Sequence, residues 1–378
     1  MKLQQVLSVL QSIAPEHLAE SWDKVGLHVE NTANIKKALL CIDLTQSVMA
    51  EAISQKVNMI VAYHPPIFAP LTALTSNDYK QNIILTAARK NIAIYSPHTA
   101  LDASPTGVNQ FLAEGIAADD KAVIKPIRPH VSNPEQYKLV VFVPEKEVLK
   151  LRSVLSATGA GVIGEYSECS YAVSGQGTFR GNDSTNPSIG TAGQFETVNE
   201  LRLEMIVPKS KLGSVIAALR DTHSYEEPAF DIYPLISDPT PNSDDMTGQG
   251  RIVELAKPIS LKTLTARIKK LLKLKYLEVA PAEGSTLAAK NIQRIGLCAG
   301  AGQSLMSEVG PMDAFFTGEM RHHDMLAAIS DGVAVLLAGH TRTERPFLRD
   351  YRAQIRKAGA GEVEWLISKA DCSPGEYV

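Results

Sequence analysis

Short apolar runs at the two ends of this chain constrain its fold more than any other feature. Residues 37–44, 57–64 and 91–96 are such runs near the N-terminus, and segments with helical periodicity lie between them. The same alternation returns from about residue 290 onwards. Apolar runs that alternate with helices favour a parallel sheet covered by helices. We therefore predict an α/β fold whose parts come from both ends of the sequence.

The middle of the chain has a different pattern. Residues 121–137 are rich in proline and lack periodicity, so we predict a linker there. A strand, a Val-Pro step and a helix then occur twice, first around residues 141–144 and again around residues 205–208. This internal echo predicts an α+β insert, followed by a polar loop over residues 236–248. The predicted domains are 1–125 and 250–378, which together form one split α/β domain, and the insert 137–236.

Length and charge limit the classes of function. A chain of 378 residues is too long for one ordinary core, which agrees with two or three domains. The net charge is −3 and aromatic residues make up 6% of the chain, so no global basic field or base-stacking surface is indicated. A cluster of lysines within residues 262–275 is interpreted as a solvated helix face. Nucleic acid binding is not expected.

Cysteine usage and hydropathy indicate the compartment. The four cysteines are far apart and form no Cys-x-x-Cys pair, which argues against both a disulfide scaffold and a thiolate zinc site. Residues 1–23 do not have the pattern of a signal peptide, and residues 3–13 suit an amphipathic helix. The apolar runs fall short of the ~18 residues that a membrane span needs. We expect a cytoplasmic protein that does not bind membranes.

Three of the apolar runs end on a histidine. His64 ends the run 57–64, His98 follows the run 91–96, and His340 follows the run that begins near residue 332. Ligand sites of α/β proteins lie beyond the carboxyl ends of parallel strands. We therefore expect the three imidazoles to point into one crevice.

Two of these histidines are followed by an acid four residues later. Asp102 follows His98, and Glu344 follows His340. This spacing places both side chains on one face of a helix. Imidazole and carboxylate together suit zinc, iron or nickel, and a bridging carboxylate can hold two ions. A lone strand-end histidine is more often a hydrogen-bonded turn residue, but three such signals at equivalent positions favour a site for one or two divalent metal ions.

Other candidate sites are weaker. Glu319 and His323 repeat the four-residue spacing, although a charged helix surface explains them equally well. Gly300 and Gly302 precede a helix as in a phosphate cradle, but a third glycine and a Walker lysine are missing. His223 lies near two glutamates of the insert, where a capped turn is the simpler interpretation.

Five longer motifs are spread over both ends of the chain. They are SWDKVGL (21–27), AYHPPIF (62–68), SPHTALDASPTGVNQFL (96–112), TGEMRHHD (317–324) and AGHTRTERPFL (338–348). These motifs resemble the Nif-three-like family, which is also known as the GTP cyclohydrolase I type 2-like or dinuclear metal center hexameric proteins. Within the insert, residues 159–183 and 223–235 look like the inserted domain of that family, which resembles PII/CutA proteins. The resemblance covers nearly the whole chain.

The resemblance implies a homohexamer, a trimer of dimers, with two-metal sites facing an internal cavity. Carried over by position, the ligands are His64, Asp102, His340 and Glu344, with Glu344 bridging. Many bacterial members have two consecutive histidines where this chain has Tyr63 and His64. Three alternatives follow from this difference. Tyr63 ligates the second metal as a phenolate, His98 takes the place of the missing histidine, or the second metal binds weakly.

Two hypotheses of function remain. The first is a metal-dependent hydrolase that uses metal-activated water, with GTP as the substrate that the family name implies and C8 of guanine as the attacked atom. His98 or Glu319 would then shuttle protons. The second is a regulatory or scaffold protein that binds a transcriptional coactivator, in which the metal is structural or stored. An open coordination position favours the first hypothesis, and a closed shell favours the second.

Overall fold

The computed structural model describes residues 1–118, 121–130, 136–236, 246–288 and 291–375. Over these residues the chain has a mixed α/β fold, which confirms the predicted class. It divides into two compact units, Met1–His130 with Asn242–Val378, and Val131–Pro241. Residues 131–135 of the predicted linker and residues 237–245 of the predicted polar loop lie outside the described residues.

The regular elements follow the alternation seen in the sequence. The helices are α1 (Leu3–Ile13), α2 (Gln46–Ser54), α3 (Tyr79–Arg89), α4 (His98–Ala103), α5 (Val108–Ala117), α6 (Val148–Ala157), α7 (Lys209–Thr222), α8 (Leu261–Leu272), α9 (Gln303–Met306), α10 (His322–Ser330), α11 (His340–Glu344) and α12 (Leu348–Ile355). Short 3-10 helices cover Glu16–Leu18, Glu145–Glu147 and Arg345–Phe347, and a π turn covers Arg356–Ala360. Among the described residues, no helix is long and apolar enough to cross a bilayer.

The strands range from two to fourteen residues in length. They are β1 (Gly26–Val29), β2 (Lys37–Cys41), β3 (Met59–Ala62), β4 (Ala93–Ser96), β5 (Val123–Lys125), β6 (Arg128–Pro129), β7 (Gln136–Pro144), β8 (Tyr171–Arg180), β9 (Phe195–Pro208), β10 (Phe230–Leu235), β11 (Gly248–Gln249), β12 (Arg251–Ser260), β13 (Glu278–Ala280), β14 (Asn291–Cys298), β15 (Ala314–Thr317), β16 (Ala334–Leu337) and β17 (Glu364–Ile367).

The larger unit contains two mixed sheets. The first has the order β1-β4-β3-β2-β17, in which β1 alone is antiparallel to its neighbour. The second has the order β13-β16-β15-β14-β12-β5, with β14, β15 and β16 parallel. Strand β17 from the end of the chain joins the N-terminal sheet, and β5 from the N-terminal part joins the second sheet. The two chain segments therefore complete each other's sheets.

Alternate residues of the central strands enter different cores. In β3 and just beyond it, Val61 and Tyr63 belong to a core to which both sheets contribute, while Ile60 and Ala62 pack with α2 and α3. In β15, Phe316 enters the shared core, and Phe315 packs on the opposite face of the second sheet. Because both faces of these strands are covered, the strands read as continuous apolar runs.

Local signals explain where helices begin and break. The side chain of Thr45 accepts a hydrogen bond from Val48 N–H and caps α2. The helix predicted after His340 is not continuous. It breaks at Arg345–Phe347, where Pro346 has no N–H to donate to the preceding turn. Glu344 consequently lies at the end of α11 and not in the middle of a long helix.

The second unit is an antiparallel sheet with the order β10-β7-β9-β8. Helices α6 and α7 each follow one of the two central strands, so the repeated strand–helix pattern of the sequence is present. The two helices and the sheet share one apolar core, to which β7 contributes Val141, α6 contributes Leu155 and β9 contributes Leu203. The unit therefore has a core of its own.

Candidate metal centre

Each of the three predicted histidines lies at the carboxyl end of a parallel strand. His64 continues the β3 ladder for two residues beyond the strand, since its N–H donates to the carbonyl of Ile42 at 3.0 Å. His98 begins α4 directly after β4, and His340 begins α11 shortly after β16. The three strand ends do not lie in one sheet, because β3 and β4 belong to the first sheet and β16 belongs to the second. The shared core brings these two strand ends together.

His64, His340 and Glu344 form the centre of the site. Nε2 of His64 lies 3.5 Å from Oε1 of Glu344, and Nε2 of His340 lies 3.3 Å from the same oxygen. Ligand atoms of the three residues all lie within 4.8 Å of one another. The pair on α11 has the predicted four-residue spacing. We call these three residues the triad.

Two carboxylates orient the imidazoles of the triad. Nδ1–H of His64 donates to Oδ1 of Asp43 at 2.9 Å, and Nδ1–H of His340 donates to Oε1 of Glu319 at 2.9 Å. Each bond fixes the ring so that Nε2 is directed at Glu344. A carboxylate behind a histidine is the usual support of a metal ligand in proteins.

The histidines of the triad carry protons that a bound cation could replace. Burial alone would lower the pKa of His64, but its bonds to Asp43 and Glu344 outweigh burial and raise that pKa to about 10. The bond to Glu344 raises the pKa of His340 to about 9. Burial opposes ionisation of Glu344, yet the two histidines lower the pKa of its carboxyl. Two imidazolium charges therefore offset two of the three negative charges of Asp43, Glu319 and Glu344, and a divalent cation would carry the same charge.

Two further observations fit a bound ion. Oε2 of Glu344 is buried and has no hydrogen-bond partner in the described part of the chain. A Cβ at Gly300 would lie 2.8 Å from Oε1 of Glu344 and 3.0 Å from Nε2 of His340, so only glycine leaves this space free. Gly300 also has a positive φ of 62°. Two imidazoles and one carboxylate match the three-ligand type of catalytic metal site.

Asp102 is close to the triad but makes a different contact. Its carboxylate accepts a hydrogen bond from the hydroxyl of Tyr63, and burial raises the pKa of Asp102 to about 6. Burial also raises the pKa of Tyr63 well above its ordinary value, so in the metal-free protein the hydroxyl keeps its proton. Asp102 does not join the group of three, and its role as a ligand stays a prediction.

His98 has its own carboxylate. Its Nδ1–H donates to Oδ1 of Asp23 at 2.8 Å, and the N–H and hydroxyl of Thr99 donate to Oδ2 of the same residue. Although burial opposes ionisation, the bonds from His98 and Thr99 lower the pKa of Asp23 to about 2. The rings of His98 and His64 meet edge to face with centroids 5.3 Å apart. His98 is thus a fixed imidazole beside the triad.

The supporting aspartates were not identified from the sequence. Asp43 follows the apolar run of β2 just as His64 follows that of β3, which is a signal that could have found it. Asp371, near the C-terminus, accepts from the N–H of Ile42 at 2.7 Å and pairs with Arg345 at 3.0 Å. The residue after Glu344 is therefore tied to the strand end that carries Asp43.

The weaker candidates have structural explanations. Glu319 precedes α10 and contacts His340, so it does not form a helical pair with His323. Gly300 and Gly302 precede a helix of only four residues. Nε2 of His223 lies 2.9 Å from the carbonyl of Phe142 and Nδ1 accepts from Tyr225 N–H, which confirms the capped turn.

A cavity of about 580 Å³ lies near the site without containing the triad. Its wall includes Asp23 together with Glu16, Glu20 and His28. The cavity therefore touches the site through the carboxylate that holds His98. We place the chemistry at the triad, where the ligand atoms converge, and not in this cavity.

Comparison with known proteins identifies relatives along the whole chain. The family described as Duf34/NIF3 (NGG1p interacting factor 3) matches residues 1–374. A protein of Halalkalibacterium halodurans named GTP cyclohydrolase 1 type 2 homolog is 34% identical, and the alignment covers 99% of this chain and 98% of that protein. Human NIF3-like protein 1 is 33% identical over 100% of this chain and 93% of its own.

Solved structures agree with these relatives. The crystal structure of a Bacillus cereus protein related to NIF3 has a TM-score of 0.69 and 30% identity, with 99% of this chain and 98% of that chain covered. The Staphylococcus aureus protein SA1388 has a TM-score of 0.74 at 24% identity, with 100% and 99% covered, and so shares the fold.

Proposed function

The chain belongs to the Duf34/NIF3 family, and from that premise we propose that it is a metal-dependent hydrolase. One observation carries the proposal. Two imidazole Nε2 atoms converge on one buried carboxylate oxygen, and each imidazole is backed by a second carboxylate. The side chains of His64 and His340 are 23% and 34% exposed, so both imidazoles contact solvent. This access supports catalysis over a closed structural site.

The residues of the chain have distinct tasks in this proposal. The triad would hold the ion, and Asp43 and Glu319 keep both rings aligned. A divalent ion held there would supply Lewis-acid activation of water. His98, fixed by Asp23 next to His64, accepts a proton from the attacking water or delivers one to the leaving group. Glu319 is the other candidate for this transfer, because its carboxylate is 59% exposed.

GTP is the substrate that we propose. The support is the printed name of relatives such as those from Halalkalibacterium halodurans and Bacillus subtilis, both GTP cyclohydrolase 1 type 2 homologs. In the proposed reaction, water adds at C8 of the guanine ring. The bond from C8 to one of its two ring nitrogens then breaks, and that nitrogen takes up the proton that the added water loses.

Finer features remain part of the proposal. They are a second metal ion with Asp102 as a ligand and Glu344 as the bridge, a homohexameric trimer of dimers, and a PII/CutA-like nature of the inserted unit. Light scattering checks the assembly, since a mass of six chains supports the ring and a monomer contradicts it. The ratio of metal to chain checks the second ion.

The test of the hydrolase is metal content and GTP turnover measured on the same samples. We expect at least one ion per chain and turnover that is lost on chelation and restored by the metal. His340→Ala should lose both, while His323→Ala, which removes an exposed histidine from α10, should lose neither. Tightly bound metal without turnover would contradict the proposal and support the scaffold alternative instead.

A further inference from the structure

Two exposed aromatic rings stand beside the candidate metal centre. Trp22 is 54% exposed and Phe68 is 49% exposed, and their ring centroids are 6.0 Å apart. The ring of Trp22 also meets His98 in an edge-to-face arrangement at 6.1 Å. Exposed large apolar side chains that cluster next to a polar site mark a binding surface more often than isolated ones do.

These rings extend a row of rings that begins at the triad. His340 and His64 are 5.4 Å apart, and His64 and His98 are 5.3 Å apart, each measured between centroids. Trp22 follows His98, and Phe68 follows Trp22. Only one ring, His98, therefore separates Trp22 from a member of the triad.

The backbone on either side holds both rings in place. Asp23, next to Trp22, donates its N–H to Glu20 and binds His98 and Thr99 through its buried carboxylate. Phe68 lies four residues after His64, and Pro65 and Pro66 restrict the backbone between them. Rings on supported backbone lose little freedom on binding, which favours affinity.

We propose that Trp22 and Phe68 form a stacking platform for the planar base of a purine nucleotide, which places the base beside His98 and the triad. The inference rests on the proposed function and names the part of the substrate that the site recognises. Because the two rings are inclined by 56°, a flat base can stack on the face of one and must meet the other at an angle. Trp22 has the larger face and the contact with His98, so we assign the stacking to Trp22 and the edge contact to Phe68.

The two tryptophans of the chain provide a direct readout. Trp365 is 1% exposed, and its Nε1–H donates to the carbonyl of Ala360, so a ligand reaches only Trp22. The metal-loaded protein is titrated with GTP, guanosine and inorganic triphosphate while tryptophan emission is recorded. We expect GTP and guanosine to quench the emission and triphosphate, which has no base, to leave it unchanged. Trp22→Phe should remove the quenching.

Leucine variants measure what the rings contribute. Trp22→Leu should weaken guanosine binding about 10-fold, and Phe68→Leu should weaken it less. With GTP as substrate, KM should rise by a similar factor while kcat changes little. Tyr166→Leu removes an exposed ring from the other compact unit and should match the wild type. Unchanged emission of Trp365 shows that the Trp22 variant is folded.

The outcomes separate this inference from the hydrolase proposal. Turnover of GTP with an unchanged KM in Trp22→Leu overturns the platform and leaves the hydrolase standing. If guanosine quenches the emission of the wild type but not that of Trp22→Phe, and GTP is not turned over, the result supports the platform and contradicts the hydrolase. If iodide does not quench the emission of Trp22 in the free protein, the ring is covered, and this result overturns the platform.

Discussion

Two neighbouring strands, β3 and β4, each end on a histidine that an aspartate holds, yet only one of these histidines joins the triad. His64 is held by Asp43 and directs Nε2 at Glu344. His98 is held by Asp23 and lies one ring further away. The local chemistry of the two strand ends is nearly the same, so it does not decide which histidine can bind a metal.

The second sheet makes the difference. Glu344 and His340 come from α11, which follows β16, and packing of the two sheets on a shared core puts them opposite the end of β3. A histidine that faces a partner from the other sheet becomes a candidate ligand. Its neighbour, which faces Trp22 and Tyr63, is instead available for proton transfer.

The largest expected effect separates the two histidines by metal content. His64→Ala should lower the bound metal at least about 10-fold, because it removes one of three ligands. His98→Ala should keep the metal and lower turnover by about 10²–10⁴-fold, as loss of a proton-transfer group does. Elemental analysis and a turnover assay on matched preparations check both variants. Equal loss of metal in the two would make His98 a ligand.

Substitution of Asp43 and of Asp23, which hold His64 and His98, should affect metal affinity to different extents. Asp43→Asn should weaken metal binding about 10–100-fold, because Nδ1 of His64 loses its charged acceptor. Asp23→Asn should leave the metal affinity close to that of the wild type and affect turnover through His98. Competition with a chelator of known affinity measures both. A large loss of affinity in Asp23→Asn would contradict the division between the two strand ends.

Proton release tests the charge balance of the triad. At pH 7 the raised pKa values keep His64 and His340 protonated in the metal-free protein, so binding of one ion should release about two protons. Because both pKa values are raised on folding, their contribution to stability is complete below about pH 6.5 and is lost as pH rises through about 9 to 10. Calorimetry in buffers of different ionisation heat gives the proton count, and thermal unfolding of the metal-free protein at pH 7 and pH 10 gives the stability. No proton release at pH 7 would contradict the assignment.

The smallest expected effect concerns the hydrogen bond between Tyr63, which follows β3, and Asp102 in α4, which follows β4. Tyr63→Phe removes the hydroxyl that donates to Asp102 and should destabilise the fold by about 1–3 kcal/mol, because a desolvated carboxylate loses its donor. The first metal should still bind. Tyr351→Phe is the matched control, since that buried hydroxyl has no partner among the described residues and its loss should cost little. Denaturant unfolding checks both, and equal effects would show that the bond to Asp102 contributes nothing specific.

Much of the fold and part of the site could be predicted from the sequence. The prediction of helix α1 agrees with the structure because hydrophobic periodicity acts over a few residues. The spacing of His340 and Glu344 predicted their contact for the same reason. The break at Pro346 was missed, although its signal is local.

Other features had no such signal. Glu319 was paired with His323 on spacing alone, whereas the chain turns before α10 and brings Glu319 to His340. Asp23 became the support of His98 only through contacts between elements that are distant along the chain. Whether Asp102 is a ligand stays a prediction, as do the domain bounds.

The sequence by itself determined the alternation of strands and helices, the histidines at the strand ends and the acid one helical turn after His340. These depend on local periodicity and on backbone preferences over a few residues. Only the tertiary structure decided that His64 meets Glu344, that His98 does not, and that each histidine has its own carboxylate. Those contacts depend on how two sheets pack on one core, and the chain separation of 280 residues between His64 and Glu344 leaves no periodic trace in the sequence.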